Sequence, residues 1–349
     1  MLAGAVLYAR DGIVGSWKGN SNQLSVDDLL IGNDPRNMEE WPTWVRSFIC
    51  EADLLSKFYY QGYDNGGEGA IRIHLRKTVS AGDPPQVSYD KILDLTRPSH
   101  ADFVAQLELV NNYADLRDDR AAEILTQVGF PTPFFGGIVG THPQRTKYTL
   151  EIVGIAQMLA AKVAMRVKHA LACLRPDKYS PQIQPLVPMP GHGTLPSAHA
   201  VEAFIVAKVL SILIHPERQE RTDQLMLQAA RIAVNRTVAG VHFPADSMAG
   251  AMIGLVLGEY LAACAGSDHV NAVTRATFDG QGVGNADFYA DTLQESGDLK
   301  DFEVNGNKIV EIDSPAVVVQ GEDVSKPLNW LWKKAVDEWK TPAQRAAGA

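Results

Sequence analysis

Apolar residues recur at helical spacing over most of this chain. Between Met38 and about Tyr60, the residues Trp41, Trp44, Val45, Phe48, Ile49, Leu54 and Leu55 fall on one face, which predicts an amphipathic helix. Gly62-Tyr-Asp-Asn-Gly-Gly-Glu-Gly breaks it, Ala70 to Val79 fits either a strand or a short helix, and Pro84-Pro85 opens a loop. Helices are expected at about 100–116 and 118–127, and Gly129-Phe-Pro-Thr-Pro-Phe-Phe-Gly-Gly reads as a rigid aromatic loop plugging the core. Four long helical segments follow, at 148–174, 198–215, 222–238 and 244–265; Pro176 stops the first and Pro244 opens the last. Consecutive helices joined by loops imply a bundle. Residues 267–300 read as loop, Asn305-Gly306 marks a hairpin within 302–312, and a closing amphipathic helix covers about 327–339. Residues 1–36, rich in turn formers, read as an irregular wrap. The expectation is an all-α fold: one mostly helical domain over 1–349, a helical-bundle core at 145–266, and a minor β-hairpin near the C-terminus.

Composition narrows this picture. With 349 residues, 46% of them hydrophobic, there is ample material for a core. A net charge of −9 argues against a nucleic-acid partner, which needs a basic face. Cys50, Cys173 and Cys264 are too far apart in sequence for a zinc motif and read as core thiols. The most apolar stretch, Met248 to Gly266, contains Glu259 and reads as a buried core helix rather than a membrane span. The first residues lack a basic region, so no signal peptide is read there and a soluble protein is expected, its compartment left open.

The chemistry concentrates in three blocks. Met189-Pro-Gly-His-Gly-Thr-Leu-Pro-Ser-Ala-His-Ala200 runs into an apolar helix, with Ser197 placed to cap it. The free amides of a helix start, at the positive end of its dipole, suit an oxyanion, and His199 in the first turn could act there as acid or base. Upstream, Lys168 and Arg175-Pro176 lie two helical turns apart, with Pro176 driving Arg175 out of helical geometry. Downstream comes Asn235-Arg236-Thr-Val-Ala-Gly-Val-His242-Phe-Pro-Ala-Asp246. Asp246 can take the proton on one ring nitrogen of His242 and leave the other free. Taken singly, these are a solvated face, a capped helix and a second cap. Together they supply three cations, an amide-rich helix start and two histidines.

In this order and spacing, Lys-x6-Arg-Pro, Pro-Ser-Ala-His and Asn-Arg-x5-His-x3-Asp resemble the signature of the type 2 phosphatidic acid phosphatase superfamily, which vanadium-dependent haloperoxidases share. The resemblance covers about residues 145–266. Two positions depart from it: Ala198 stands where the family has glycine, adding a methyl beside the anion, and Asn235 stands for serine, a position expected to matter less. The resemblance implies a helical bundle of the vanadium haloperoxidase and acid phosphatase type. It also implies that Lys168, Arg175, Ser197, the Ala198 amide and Arg236 hold equatorial oxygens, His199 an apical one, and that His242 binds the central atom. With vanadate as cofactor and His242 as its metal ligand, hydrogen peroxide, a halide and an organic acceptor would be the partners, and Lys168 would polarise peroxide. With phosphate in the same site, the chain would be a soluble acid phosphatase working through a phosphohistidine on His242. A long helical segment ahead of the cage, and His192 where algal bromoperoxidases carry histidine and fungal chloroperoxidases phenylalanine, favour a haloperoxidase using bromide or iodide. A homo-oligomer is left open.

Overall fold

Helices supply the expected core, but a sheet stands against it. The computed structural model describes residues 2–16, 30–66, 68–80, 82–214, 219–341 and 343–344, and is 55% helix and 18% strand. Two compact units divide the chain at Trp41 and Pro42. In the first, Leu2–Val14 forms a helix (α1) and Pro35–Glu40 a 3-10 turn capped by Asp34, whose carboxylate accepts from the Arg36 amide at 2.9 Å. The start of the chain is therefore helical, not an irregular wrap; residues 17–29 lie outside the described part.

The second unit opens with α2 (Thr43–Leu55), and the expected long helix then ends early, because Phe58-Tyr-Tyr enters a strand. Strands β1 (Phe58–Asn65), β2 (Glu68–Ser80) and β3 (Gln86–Thr96) form an antiparallel meander. After them come α3 (His100–Asn112), α4 (Arg117–Thr126), α5 (Thr132–Val139) and α6 (Lys147–Leu171). A short turn of helix, α7 (Pro176–Tyr179), precedes α8 (Ala198–Ile214), α9 (Gln219–Val238) and α10 (Pro244–Cys264). Strands β4 (Ala272–Asp279), β5 (Gln294–Glu295), β6 (Asp298–Leu299), β7 (Phe302–Val304) and β8 (Asn307–Val318) follow, and α11 (Lys326–Trp339) closes the unit. The main sheet runs β1-β2-β3-β4-β8-β7, antiparallel except for the parallel β3–β4 pair.

The all-α expectation is thus wrong: the fold is mixed α/β. The hairpin at Asn305-Gly306 exists, both residues at positive φ as such a tight turn requires, but it is one edge of six strands. Segment 70–79 is strand β2, with Ile71, Ile73 and Leu75 buried on one face. The stretch 267–300 is not all loop, since β4 lies in it. Nor is 129–137 all loop, because α5 begins at Thr132 after Pro131, and left-handed Gly140 ends it; Phe135 on that helix is buried in the core, as the aromatic plug was expected to be.

The four core helices fall within a few residues of expectation. Helices α8 and α10 are apolar all round and are buried almost all round, as central helices must be. Among the described residues, α10 alone is long and apolar enough to cross a membrane, and it is wholly enclosed by the protein. Its Gly250, Gly254 and Gly258 recur every fourth residue and lie against α8. A Cβ on Gly254 would come within 2.7 Å of both the Phe204 Cβ and the Val201 carbonyl. Gly254→Ala should therefore lower the melting temperature by several degrees. Overpacking costs about 1–3 kcal/mol, more than the gain of up to ~1 kcal/mol in helix propensity. Gly154→Ala in α6, where no atom lies within 4 Å, should be neutral or stabilising, and thermal melts of the two variants check the pair.

Candidate active site

Burial of charge locates the site. Lys168, Arg175 and Arg236 are each almost wholly enclosed, and among the described residues no carboxylate lies within ion-pair distance of any of them. Lys168 projects from the last turn of α6. The helix ends at Leu171 with Ala172 left-handed, and Arg175 is extended ahead of Pro176. Lys168 and Arg175 therefore do not share a helix face; chain reversal brings them together. Arg236 comes from the last turn of α9.

The loop before α8 is held down by the first two cations. Lys168 Nζ donates to the carbonyls of Gly193 (2.9 Å) and Thr194 (2.7 Å), leaving one proton to spare. Gly193 eases this approach, since a Cβ would sit 3.2 Å from the Cys173 carbonyl and 3.3 Å from that of Lys168, tighter than most side chains tolerate. The Arg175 guanidinium reaches the His192 carbonyl (3.0 Å), the Val241 carbonyl (2.6 Å), the His192 ring Nδ1 (3.2 Å) and His242 Nε2 (3.1 Å). Arg236 is held more loosely, by 3.4 Å contacts to the Ile124 carbonyl and Gln127 Oε1, and its buried Nε has no partner.

These contacts fix the state of His242. Arg175 can only donate, so Nε2 carries the lone pair, and Nδ1–H donates to Asp246 Oδ2 at 2.9 Å. The pair has ion-pair geometry, yet the imidazole is neutral: burial, then Arg175 and Lys168, push its pKa well below the ordinary range. Asp246 Oδ2 also accepts from the Thr194 hydroxyl and from the Phe243 amide (2.9 Å), so one oxygen both caps α10 and orients His242. Burial raises the Asp246 carboxyl, opposed by Thr194, Lys168 and Arg175. Burial also lowers Lys168, helped by Arg175, and lowers Arg236 to about 10. Glu202, one turn into α8, is pushed by burial up to about 7, against the pull of Lys168, and so is only partly ionised at neutral pH.

Ser197 and His199 meet the site differently. The Ser197 hydroxyl accepts weakly from the Ala200 amide (3.4 Å) as a cap, while its own amide is taken by the Asp246 carbonyl (2.8 Å). The amides of Ala198 and His199 open the helix, where no helical acceptor exists. His199 Nε2–H donates to the Gln127 carbonyl at 2.8 Å, and burial lowers its pKa to about 4, so at neutral pH it is uncharged. His192 is exposed, but its ring rests on Arg175.

Three contributors were not read from the sequence. Thr194 bridges the loop to Asp246; a threonine inside a glycine-proline loop carries no signal of that. Phe103 packs 4.8 Å from the ring of Phe243, beside His242, and Gln106 Oε1 accepts from the Ala245 amide at 3.1 Å. Both stand on α3, where they look like ordinary helix residues. Asn235, expected to matter little, donates to Glu123 and Gln127 and accepts from Arg120.

A tetrahedral oxyanion fits this donor set. Each of the three cations keeps an uncommitted N–H, the first α8 amides have no helical acceptor, and buried cations without counter-charge cost several kcal/mol each unless an anion meets them. Against known proteins, the sequence model of the PAP2 superfamily matches residues 148–267. No curated protein matches the chain.

Proposed function

From residues 148–267 being a domain of the PAP2 superfamily, which includes phosphatidic acid phosphatases and vanadium haloperoxidases, we propose that this chain is a vanadium-dependent haloperoxidase using bromide or iodide. The superfamily supports phosphoryl or vanadate chemistry in general. The choice between them rests on His199. A phosphatase needs this residue to protonate a leaving alcohol. Here its N–H is committed to the Gln127 carbonyl and the ring is held neutral, which suits a hydrogen-bonding role more than an acid.

In this reading His242 Nε2 is the metal ligand, with Asp246 fixing the tautomer and raising the basicity of the ring. Lys168, Arg175 and Arg236 neutralise the oxyanion, and the Ser197 hydroxyl and the Ala198 amide complete its hydrogen bonds. Bound vanadate would supply the Lewis acid that activates hydrogen peroxide toward halide. The spare proton on Lys168 is placed to hold developing negative charge on an oxygen. His192, whose ring Nδ1 meets the Arg175 guanidinium at 3.2 Å, stands at the approach to the cage. Its effect is on the strength of the oxidant and so on the halide used.

The test is a halogenation assay on purified protein incubated with orthovanadate, with chloride, bromide and iodide compared in the parent and in His192→Phe. Expected are vanadate-dependent bromination and iodination, poor chlorination, and a gain in chlorination in the variant. Hydrolysis of a chromogenic phosphate ester without halogenation would place the chain with the phosphatases. An unchanged halide profile in His192→Phe would leave that residue without a part in selectivity.

A further inference from the structure

Gln127 lies at the C-cap of α4, outside the matched domain, and its side chain is fully buried. Its carboxamide orientation is set by neighbours whose chemistry admits no exchange. Arg120 can only donate, so the oxygen of Asn235 faces it (3.2 Å), and the Asn235 amide nitrogen donates to Glu123 (3.0 Å) and to Gln127 Oε1 (3.0 Å). Arg236 Nη2 approaches the same Oε1 at 3.4 Å. Reversing the Gln127 amide would set N–H groups against these two donors. Nε2 is thus turned away from both, buried and without a protein acceptor, on a residue that touches Arg236 through its side chain and His199 through its main-chain carbonyl. Arg236 Nε is a second buried donor without a partner. Two orphan donors on adjoining residues call for one acceptor-rich ligand, because a buried donor left unmade costs about 1–3 kcal/mol.

We propose that Gln127 is a further anion-binding residue, its Nε2 donating to an oxygen of the tetrahedral oxyanion beside Arg236. This rests on the oxyanion reading of the site and adds a contact from outside the three motif blocks. It also gives Asn235 a purpose that serine could not serve: the longer amide reaches Gln127 and fixes its polarity. The ligand chemistry is shared by phosphate and vanadate, and inorganic phosphate serves as the probe.

Calorimetric titration of the whole protein with phosphate tests the assignment, with thermal melts to show that each variant is folded. Gln127→Glu keeps an oxygen for Asn235 and Arg236 but sets a second one where the donor was. Affinity should fall by about a hundredfold, the scale of a hydrogen bond to a charged group. Gln127→Met removes the donor without adding charge, but also the oxygen that Asn235 and Arg236 share, and should cost at least about tenfold. In the parent, the Gln127 side-chain NH2 resonance should move on phosphate addition, a readout independent of any substitution. A folded Gln127→Glu variant that binds phosphate within about twofold of the parent, or an unmoved amide resonance at saturation, overturns the assignment of Gln127 alone. A parent that binds neither phosphate nor vanadate overturns the oxyanion site and this assignment with it.

Discussion

His242→Ala should abolish turnover, by at least about a thousandfold, while phosphate still binds within about tenfold of the parent affinity. The two effects separate because different groups carry them. In the proposed chemistry the nitrogen that bonds the central atom is His242 Nε2, the ring nitrogen that Arg175 meets at 3.1 Å. In the same proposal charge neutralisation comes from Lys168, Arg175 and Arg236, which the substitution leaves in place; Arg175 loses one contact, to His242, and keeps the Val241 and His192 carbonyls. The fold should survive as well, since Asp246 Oδ2 keeps the Phe243 amide and the Thr194 hydroxyl as partners and the α10 start stays capped. Free imidazole at millimolar concentration should restore part of the activity by entering the space the side chain leaves. Steady-state kinetics with phosphate titration on one preparation decides it. Retained turnover in a folded variant would remove His242 from the chemistry altogether.

Asp246→Asn should lower turnover by about 10–100-fold with a stability loss of only about 1–3 kcal/mol. An asparagine oxygen can still accept from Phe243 and Thr194, so the cap is largely kept. The same oxygen meets His242 Nδ1–H, so the ring keeps its tautomer, but a neutral acceptor no longer raises the basicity of Nε2. The new NH2 falls where Oδ1 is buried without a partner, and that unmade donor accounts for the stability loss. Nitrogen-detected NMR of the histidine ring should show the proton still on Nδ1, with a weaker hydrogen bond than in the parent. A variant that loses stability far more than turnover would make capping the main task of Asp246.

The candidate site and the four core helices could be read in the sequence and the sheet could not, for a physical reason. Lys168, Arg175, Ser197, His199, Arg236, His242 and Asp246 lie at helix ends and breakers, where local spacing announces them. The sheet gives no comparable signal. In β3, Ile92 to Thr96 is buried on both faces, so it shows no alternation. In β4 a bulge between Val273 and Arg275 shifts the register, and the buried residues Val273, Ala276 and Phe278 lose the period of two. The edge strand β1 was swallowed by the helix before it, because Phe58 and Tyr60 continue that helix's apolar spacing. Gln127 was reachable only as the last residue of an expected helix. Its part depends on which atoms of Asn235 and Arg236 face it, and no one-dimensional pattern encodes that.

The parallel pairing of β3 with β4 has a consequence for how the chain reaches this state. Leu93 must find Ala276, and every helix of the site lies between them in sequence. Closing so long a loop is entropically costly and slow, so the local meander of β1, β2 and β3 and the helices between can form well before β4 arrives. During that interval β3 presents an unpaired edge that includes Leu93, Leu95 and Thr96, all buried in the finished protein. The order of assembly thus exposes, for the longest time, a stretch suited to pairing with another chain, and aggregation competes with folding at that step above all others.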